Sequence, residues 1–205
     1  MDGQNLTEVD GFVALTFARV SESLAKATDA LLGNDPDAGQ AVVDADQEID
    51  DLTREVEQLV WNLIDSHAAR GEQLRHLVGV LLMLPELERS ADLAEHIAQR
   101  AVDHLGAEMS PLSRGIIQRM TEVALGMWRT AADAYAERSE QAVALDEEDE
   151  EIDILHDRLT REIAAEAMPT AVAAQVTLLA RFYERLGDHA VNLARRIAAL
   201  PGPRR

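Results

Sequence analysis

Asp46-Gln47-Glu48-Ile49-Asp50-Asp51-Leu52 returns later in the chain as Asp149-Glu150-Glu151-Ile152-Asp153-Ile154-Leu155, an offset of 103 residues. A second pair of segments follows the first. Leu87-Glu88-Arg89-Ser90-Ala91-Asp92 has its counterpart in Tyr183-Glu184-Arg185-Leu186-Gly187-Asp188, at an offset of 96 residues. Chance matches of acidic residues are common in an acidic chain. Two ordered motifs that also keep their apolar neighbours in register are not, so the chain is a duplication. The offsets differ by about two helical turns, so the first copy has the longer hairpin while the same faces meet.

Around these motifs the apolar residues keep helical spacing. Ile49, Leu52, Val56, Leu59, Val60 and Leu63 form one stripe, and Ile152, Leu155, Leu159 and Ile163 form its counterpart. No segment alternates with period two over a useful length. Breakers divide the chain: Gly33-Asn34-Asp35-Pro36-Asp37, with a helix N-cap built into it; Ala68 to Gly71; Leu105-Gly106 through Ser110-Pro111; and Met168-Pro169-Thr170. A softer break is expected near Arg138-Ser139. The pattern predicts an all-α protein of six helices with antiparallel neighbours. The first three-helix repeat is expected over residues 1–106 and the second over 107–205.

Composition agrees. Hydrophobic residues make up 47% of the 205-residue chain and aromatics only 3%, a mixture suited to close-packed helices rather than a sandwich or barrel. Cysteine is absent, which excludes disulfides and thiolate metal sites. The N-terminus lacks the basic and apolar regions of a signal peptide. The stretch from Leu77 to Leu87 is interrupted by Gly79 and Pro85 and is about half the ~20 residues of a membrane span. These features predict a cytoplasmic protein without membrane insertion. A net charge of −19 opposes binding to nucleic acid, to anionic membrane or to free phosphate. Cations are the ligands it favours.

Residues four apart share a helix face. Asp46 and Asp50, Glu88 and Asp92, Asp149 and Asp153, and Glu184 and Asp188 therefore project as pairs at the edge of the apolar stripes. The Glu88 stripe continues to His96 and the Glu184 stripe to Asn192. Like charges at this spacing repel, and protons, arginines or cations must compensate them. A solvated face paired with Arg89, Arg181 and Arg185 is the plainer reading of any one pair. Four pairs in duplicated register favour oxygen ligation of hard or borderline cations such as Mg, Ca, Mn or iron. The Glu-x-x-His pair of bundle di-iron oxidases is missing. Neither a phosphate-binding glycine loop nor a Gly-x-Ser-x-Gly elbow occurs. His67, His76, His104 and His189 show no obvious partners, and His156 has Thr53 at its place in the first copy.

The segment from Leu179 to Ala194, with its Glu184-Arg185-Leu186-Gly187-Asp188-His189-Ala190-Val191-Asn192 core, resembles the hallmark segment of the PhoU-type phosphate-uptake regulators. The paired Asp-x-Glu-Ile-Asp segments match that family's other recurring motif. The resemblance runs from about Val9 to Ala199. It implies two three-helix bundles related by a pseudo-twofold, with multinuclear metal sites held on the bundle surfaces. Carried onto this chain, one site uses Asp46, Asp50, Glu88 and Asp92, with His96 where Asn is usual. The other uses Asp149, Asp153, Glu184, Asp188 and Asn192. The resemblance implies divalent or trivalent metal ions, multinuclear iron for some members, with Mg, Mn, Zn or Ca as other candidates. Ser90-Ala91 stand in place of the usual Ile-Gly. Pro85 is expected to kink or restart the third helix, and the first helix is expected to be short.

The resemblance further implies a non-enzymatic negative regulator of phosphate uptake and phosphate-starvation signalling. Such a protein acts as an adaptor toward the ATPase of a phosphate ABC transporter and a sensor histidine kinase, and a homodimer is expected. Regulation of a different transporter is the first alternative, and a metal-dependent hydrolase or metal store is the second. A hydrolytic centre needs a nearby acid, base or substrate-binding cation, and Lys26 is the only lysine.

Overall fold

In the computed structural model, residues 3–67, 69–137, 144–165 and 168–201 are described, and side-chain surroundings from residue 5 onward. The turn around Asp35 shows how the chain sets its helix boundaries. Asn34 takes the left-handed conformation (φ 52°), and the Asp35 carboxylate accepts the Ala38 N–H at 3.0 Å. Pro36 occupies the first helical position, where no N–H is needed. The chain thus leaves α1 (Gly3–Gly33) and enters α2 (Pro36–Asp65) through a two-residue link.

The remaining elements are α3 (Glu72–Val102), a single turn α4 (Leu105–Glu108), α5 (Pro111–Glu137), α6 (Asp146–Ala165) and α7 (Thr170–Ala198). No strand occurs among the described residues. Six long helices answer the six expected, and α4 is an added turn in the connection between repeats. One expectation is corrected. The first helix is 31 residues long, not short, because Val9, Val13, Phe17, Val20, Leu24 and Leu31 give it a buried face along almost its whole length. Of the two outcomes expected at Pro85, a kink or a restart, the restart does not occur: Pro85 lies inside α3, which runs through it as one element. The expected break near Arg138-Ser139 lies outside the described residues.

α1, α2 and α3 pack on one another, as do α5, α6 and α7. The two bundles join through α1 against α5 and α3 against α7. At the junction Phe17 meets Trp128 (centroids 5.9 Å apart), and both are buried. Buried polar groups at this junction find partners across it. The Tyr183 and Thr28 hydroxyls lie 2.6 Å apart, Tyr135 donates to Asp10 at 2.8 Å, and Arg114 donates to the Leu32 carbonyl. Gly106 is the tightest point. A Cβ there would stand 1.9 Å from the Leu31 carbonyl oxygen, so α4 seats on the end of α1 only because no side chain intervenes.

No helix among the described residues is long and apolar enough to cross a membrane. Leu77, Val80, Met83, Leu84 and Leu87 are instead part of the core.

Candidate metal centre

The α2 stripe buries Ile49, Thr53, Val56 and Val60 against α1 and α3. This fixes the rotation of α2 and leaves Asp46 and Asp50 half-buried at its edge. On α3, burial of Leu87, Ala91 and Ala94 does the same for Asp92. The consequence is a trio: one carboxylate oxygen from each of Asp46, Asp50 and Asp92 lies within 4.8 Å of the other two. Among the described residues no other group of three acidic or imidazole side chains meets that spacing.

Burial is the main reason the Asp46 carboxyl is pushed up to about 6, with Asp50, Glu95 and Asp92 adding repulsion and His96 opposing it. Asp92 is raised as well, by burial and then by Asp50, with His96 and Arg89 opposing. An anionic cluster held against its own repulsion is what a hard cation relieves, and three oxygens at this spacing are a donor set of the right chemistry. Asp46, Asp50 and Asp92, three of the four carboxylates the resemblance assigns to this site, fit a hard cation.

The other predicted residues of the first set are placed differently. Glu88 is exposed and stands at a groove between α2 and α3 with Asp50, Thr53, Arg54 and Trp61. His96 is near enough to act on Asp46 and Asp92, yet its ring stacks on Phe182 of α7 with centroids 5.4 Å apart. Arg54 feels Asp50 and Glu88, but its hydrogen bond goes outward to Asp51 at 2.6 Å. Glu95 contributes to the cluster's charge and was missed in the sequence. Its counterpart in the second copy is Val191, so a search for repeated residues passes over it.

In the second set, Gly187 lets α7 approach α6. A Cβ there would lie 3.0 Å from Ile152 Cδ1 and 3.3 Å from Asp149 Oδ1. Asp149 is half-buried and Asp153 and Asp188 are exposed. Burial raises the Asp149 carboxyl, Asp153 and Asp188 raise it further, and Arg195 opposes them. Glu184 is ion-paired with Arg181 one turn earlier. Asn192 is half-buried. These five residues share the α6–α7 seam, but they do not draw three ligand atoms together as the first set does.

Two histidines without visible partners in the sequence have them in the fold. His76 Nε2 lies 2.7 Å from Asp10 Oδ1. His189 Nδ1 lies 2.8 Å from the Ser90 hydroxyl, with Glu86 3.8 Å from its other nitrogen. Both link separate helices, and the second links the bundles. Burial lowers the His189 imidazole, with Glu86 opposing.

Comparison with known proteins places this geometry in a family. The PhoU domain matches twice, over residues 15–101 and 117–197. The Caulobacter vibrioides (strain NA1000 / CB15N) protein named "Phosphate-specific transport system accessory protein PhoU homolog" is 32% identical over 198 residues, covering 94% of this chain and 86% of that protein. The Rhizobium meliloti (strain 1021) protein of the same name is 32% identical, covering 86% of this chain and 76% of that protein. The crystal structure of PhoU from Pseudomonas aeruginosa superposes with a TM-score of 0.90 at 21% identity, covering 98% of both chains. That of the phosphate transport system regulatory protein PhoU from Streptococcus pneumoniae gives 0.84 at 20% identity, covering 95% of this chain and 94% of that one. Two matched domains on two bundles, with relatives aligned along most of the chain, establish that this protein belongs to the PhoU family.

Proposed function

We propose that this protein is a regulatory adaptor of a phosphate-uptake system and that it restrains uptake and phosphate-starvation signalling when phosphate is plentiful. The observation that carries the reading is the near full-length match to proteins named as accessory to phosphate-specific transport. A chain of net charge −19 is a poor direct receptor for phosphate, and action through protein partners accommodates that. The partners of this reading are the transporter's ATPase subunit and a sensor histidine kinase, engaged by a cytoplasmic homodimer. Regulation without catalysis is the role assigned.

Within this reading a cation at Asp46, Asp50 and Asp92 ties α2 to α3. It would supply charge neutralisation, and Glu95, Glu88 and His96 would shape the margin of its site. The three aspartates need no rearrangement of helices to converge. The outer helix α2 would be held to the bundle by the cation as well as by its apolar stripe.

The test is genetic. Cells lacking their own PhoU-type protein would be supplied with this chain, and phosphate uptake and a starvation-induced reporter would be measured at high phosphate. Restored repression is expected. Undiminished uptake and reporter activity with the protein present would count against the phosphate role and favour a different transporter.

A further inference from the structure

The apolar run from Leu77 to Leu87 divides between two faces of α3. Leu77, Val80, Met83, Leu84 and Leu87 belong to the core. Val78 and Leu82 face outward together with Leu74, at 43%, 53% and 37% exposure. These three stand four residues apart, so they form one ridge about 12 Å long on the outer side of the helix. The bundle does not require it. At the 96-residue offset the second copy has Thr170, Ala174 and Leu178, which are exposed as well. The same fold is therefore built there with one large apolar residue in place of three. A solvent face that stays apolar over successive turns marks a surface for recognition.

The ridge borders a groove of about 420 Å³ between α3 and the end of α7. Gly79 makes its floor: a Cβ there would stand 2.2 Å from Leu200 Cδ2, so Leu200 lies directly against α3. The groove's charge is opposite to that of the chain. Acidic residues outnumber basic ones by 38 to 19, and the grooves at α1–α2, α2–α3 and α1–α5 each hold two or more carboxylates. This lining holds none, and it presents Arg75 and Arg196. Arg75 is exposed and has no ion pair among the described residues. Arg196 keeps 37% side-chain exposure while it reaches the buried Glu86 at 3.6 Å. We propose that this groove docks an amphipathic helix of a protein partner, apolar along one face and carrying carboxylates along its edges. The apolar face lies on Leu74, Val78, Leu82 and Leu200, and the carboxylates meet Arg75 and Arg196. An anionic membrane would have to approach a chain of net charge −19. A second copy docked by the same face would bring four arginines, two from each copy, into one interface whose lining holds no carboxylate. The inference deepens the adaptor reading by giving the chemistry of a partner. Peptide binding in vitro does not depend on which solute is regulated, so its failure and a failure of repression in cells are separate results.

The probe is a fluorescein-labelled synthetic helix of about 18 residues, with leucines on one face and glutamates at its edges. A scrambled peptide of the same composition is its control. The overall charge of the protein works against any acidic probe, so binding reports the groove and not a general attraction. Anisotropy titrations of the full chain would compare wild type, Val78→Gln with Leu82→Gln, Arg75→Glu, and Leu178→Gln, the counterpart of Leu82 in the second copy. Wild type and Leu178→Gln are expected to bind the amphipathic peptide alike and to ignore the scrambled one. The ridge variant and Arg75→Glu are each expected to lose roughly tenfold or more in affinity. All of these positions are exposed, and unchanged circular dichroism would show that each variant is folded. Absence of binding to wild type, or undiminished binding to a folded ridge variant, would overturn the proposal. So would equal binding of the scrambled peptide. Sedimentation and vesicle flotation test the other occupants. A dimer that Val78→Gln with Leu82→Gln dissociates would assign the face to a second copy, and phosphatidylglycerol vesicles that retain wild type but release that variant would assign it to a membrane. Either result would also overturn the proposal.

Discussion

Asp46 is where burial and repulsion meet most directly. Its carboxyl sits at about 6, above its ordinary 3.8, because the fold half-buries it beside Asp50, Glu95 and Asp92. A raised carboxylate favours the folded state while protonated, and that contribution is lost as pH rises from about 4 through about 6. Metal-free protein should therefore melt at a higher temperature near pH 5 than at pH 7, so far as this cluster governs it. With a cation bound the trend reverses, since protons compete for the same oxygens. Mn²⁺ affinity should fall steeply below pH 6, and isothermal titration at several pH values would measure it. Affinity independent of pH from 5 to 7 would contradict the placement. Asp46→Asn removes one repelled charge and one proposed ligand together. It is expected to stabilise the metal-free protein by about 1 kcal/mol, roughly 2–4 °C for a chain of this size, and to abolish stabilisation by metal.

Which carboxylates would share a seam was legible before the fold was known, and which would touch was not. Four-residue spacing assigns Asp46, Asp50, Glu88 and Asp92 to two facing edges, and three of them do converge. The fourth departs for a reason no periodicity contains. Glu88 lies one turn N-terminal to Asp92 and points toward the opening beside Arg54 and Trp61. Glu95 adds its charge to the cluster instead. The partners of His76 and His189 escaped for a related reason, because they lie on helices 66 and 99 residues away in sequence.

At the scale of helices, two close approaches make contrasting predictions. Gly187 is met by the end of the flexible Ile152 side chain at 3.0 Å, and its counterpart in the first copy is Ala91, which is buried there without disruption. Gly187→Ala should cost less than about 1 kcal/mol, since Ile152 can shift. At Gly106 the obstacle is the backbone carbonyl of Leu31, at 1.9 Å. That carbonyl cannot yield without moving the end of α1, so Gly106→Ala should cost about 2–3 kcal/mol. Urea unfolding of the two variants would separate them, and equal losses would show that α4 is free to lift off α1. Apolar periodicity and breaker residues were enough to read the six long helices. The seventh needed tertiary context, because one turn between repeats has no periodicity of its own.

For the whole molecule, the question is how firmly one bundle is held to the other. The junction between α1, α3, α5 and α7 is apolar with a few buried hydrogen bonds. Tyr183 is fully buried with its hydroxyl 2.6 Å from that of Thr28, and burial pushes its ionisation up to about 12, so it remains neutral. Tyr183→Phe should cost about 1–1.5 kcal/mol in a single cooperative transition if the bundles unfold together. Two separated transitions by calorimetry would mean that they are independent units. A protein built as two joined bundles has α2 and α6 as its outer helices, and these are the helices that carry half of each carboxylate set. Cation binding at α2–α3 would thus stiffen an outer surface without disturbing the junction.

Calorimetric melting of the Mn²⁺-loaded protein at pH 7, with and without excess chelator, tests the cation seam between α2 and α3 most directly. Removal of metal should lower the melting temperature by several degrees in wild type and by nothing in Asp46→Asn. Superimposable wild-type curves with metal and with chelator would contradict the account.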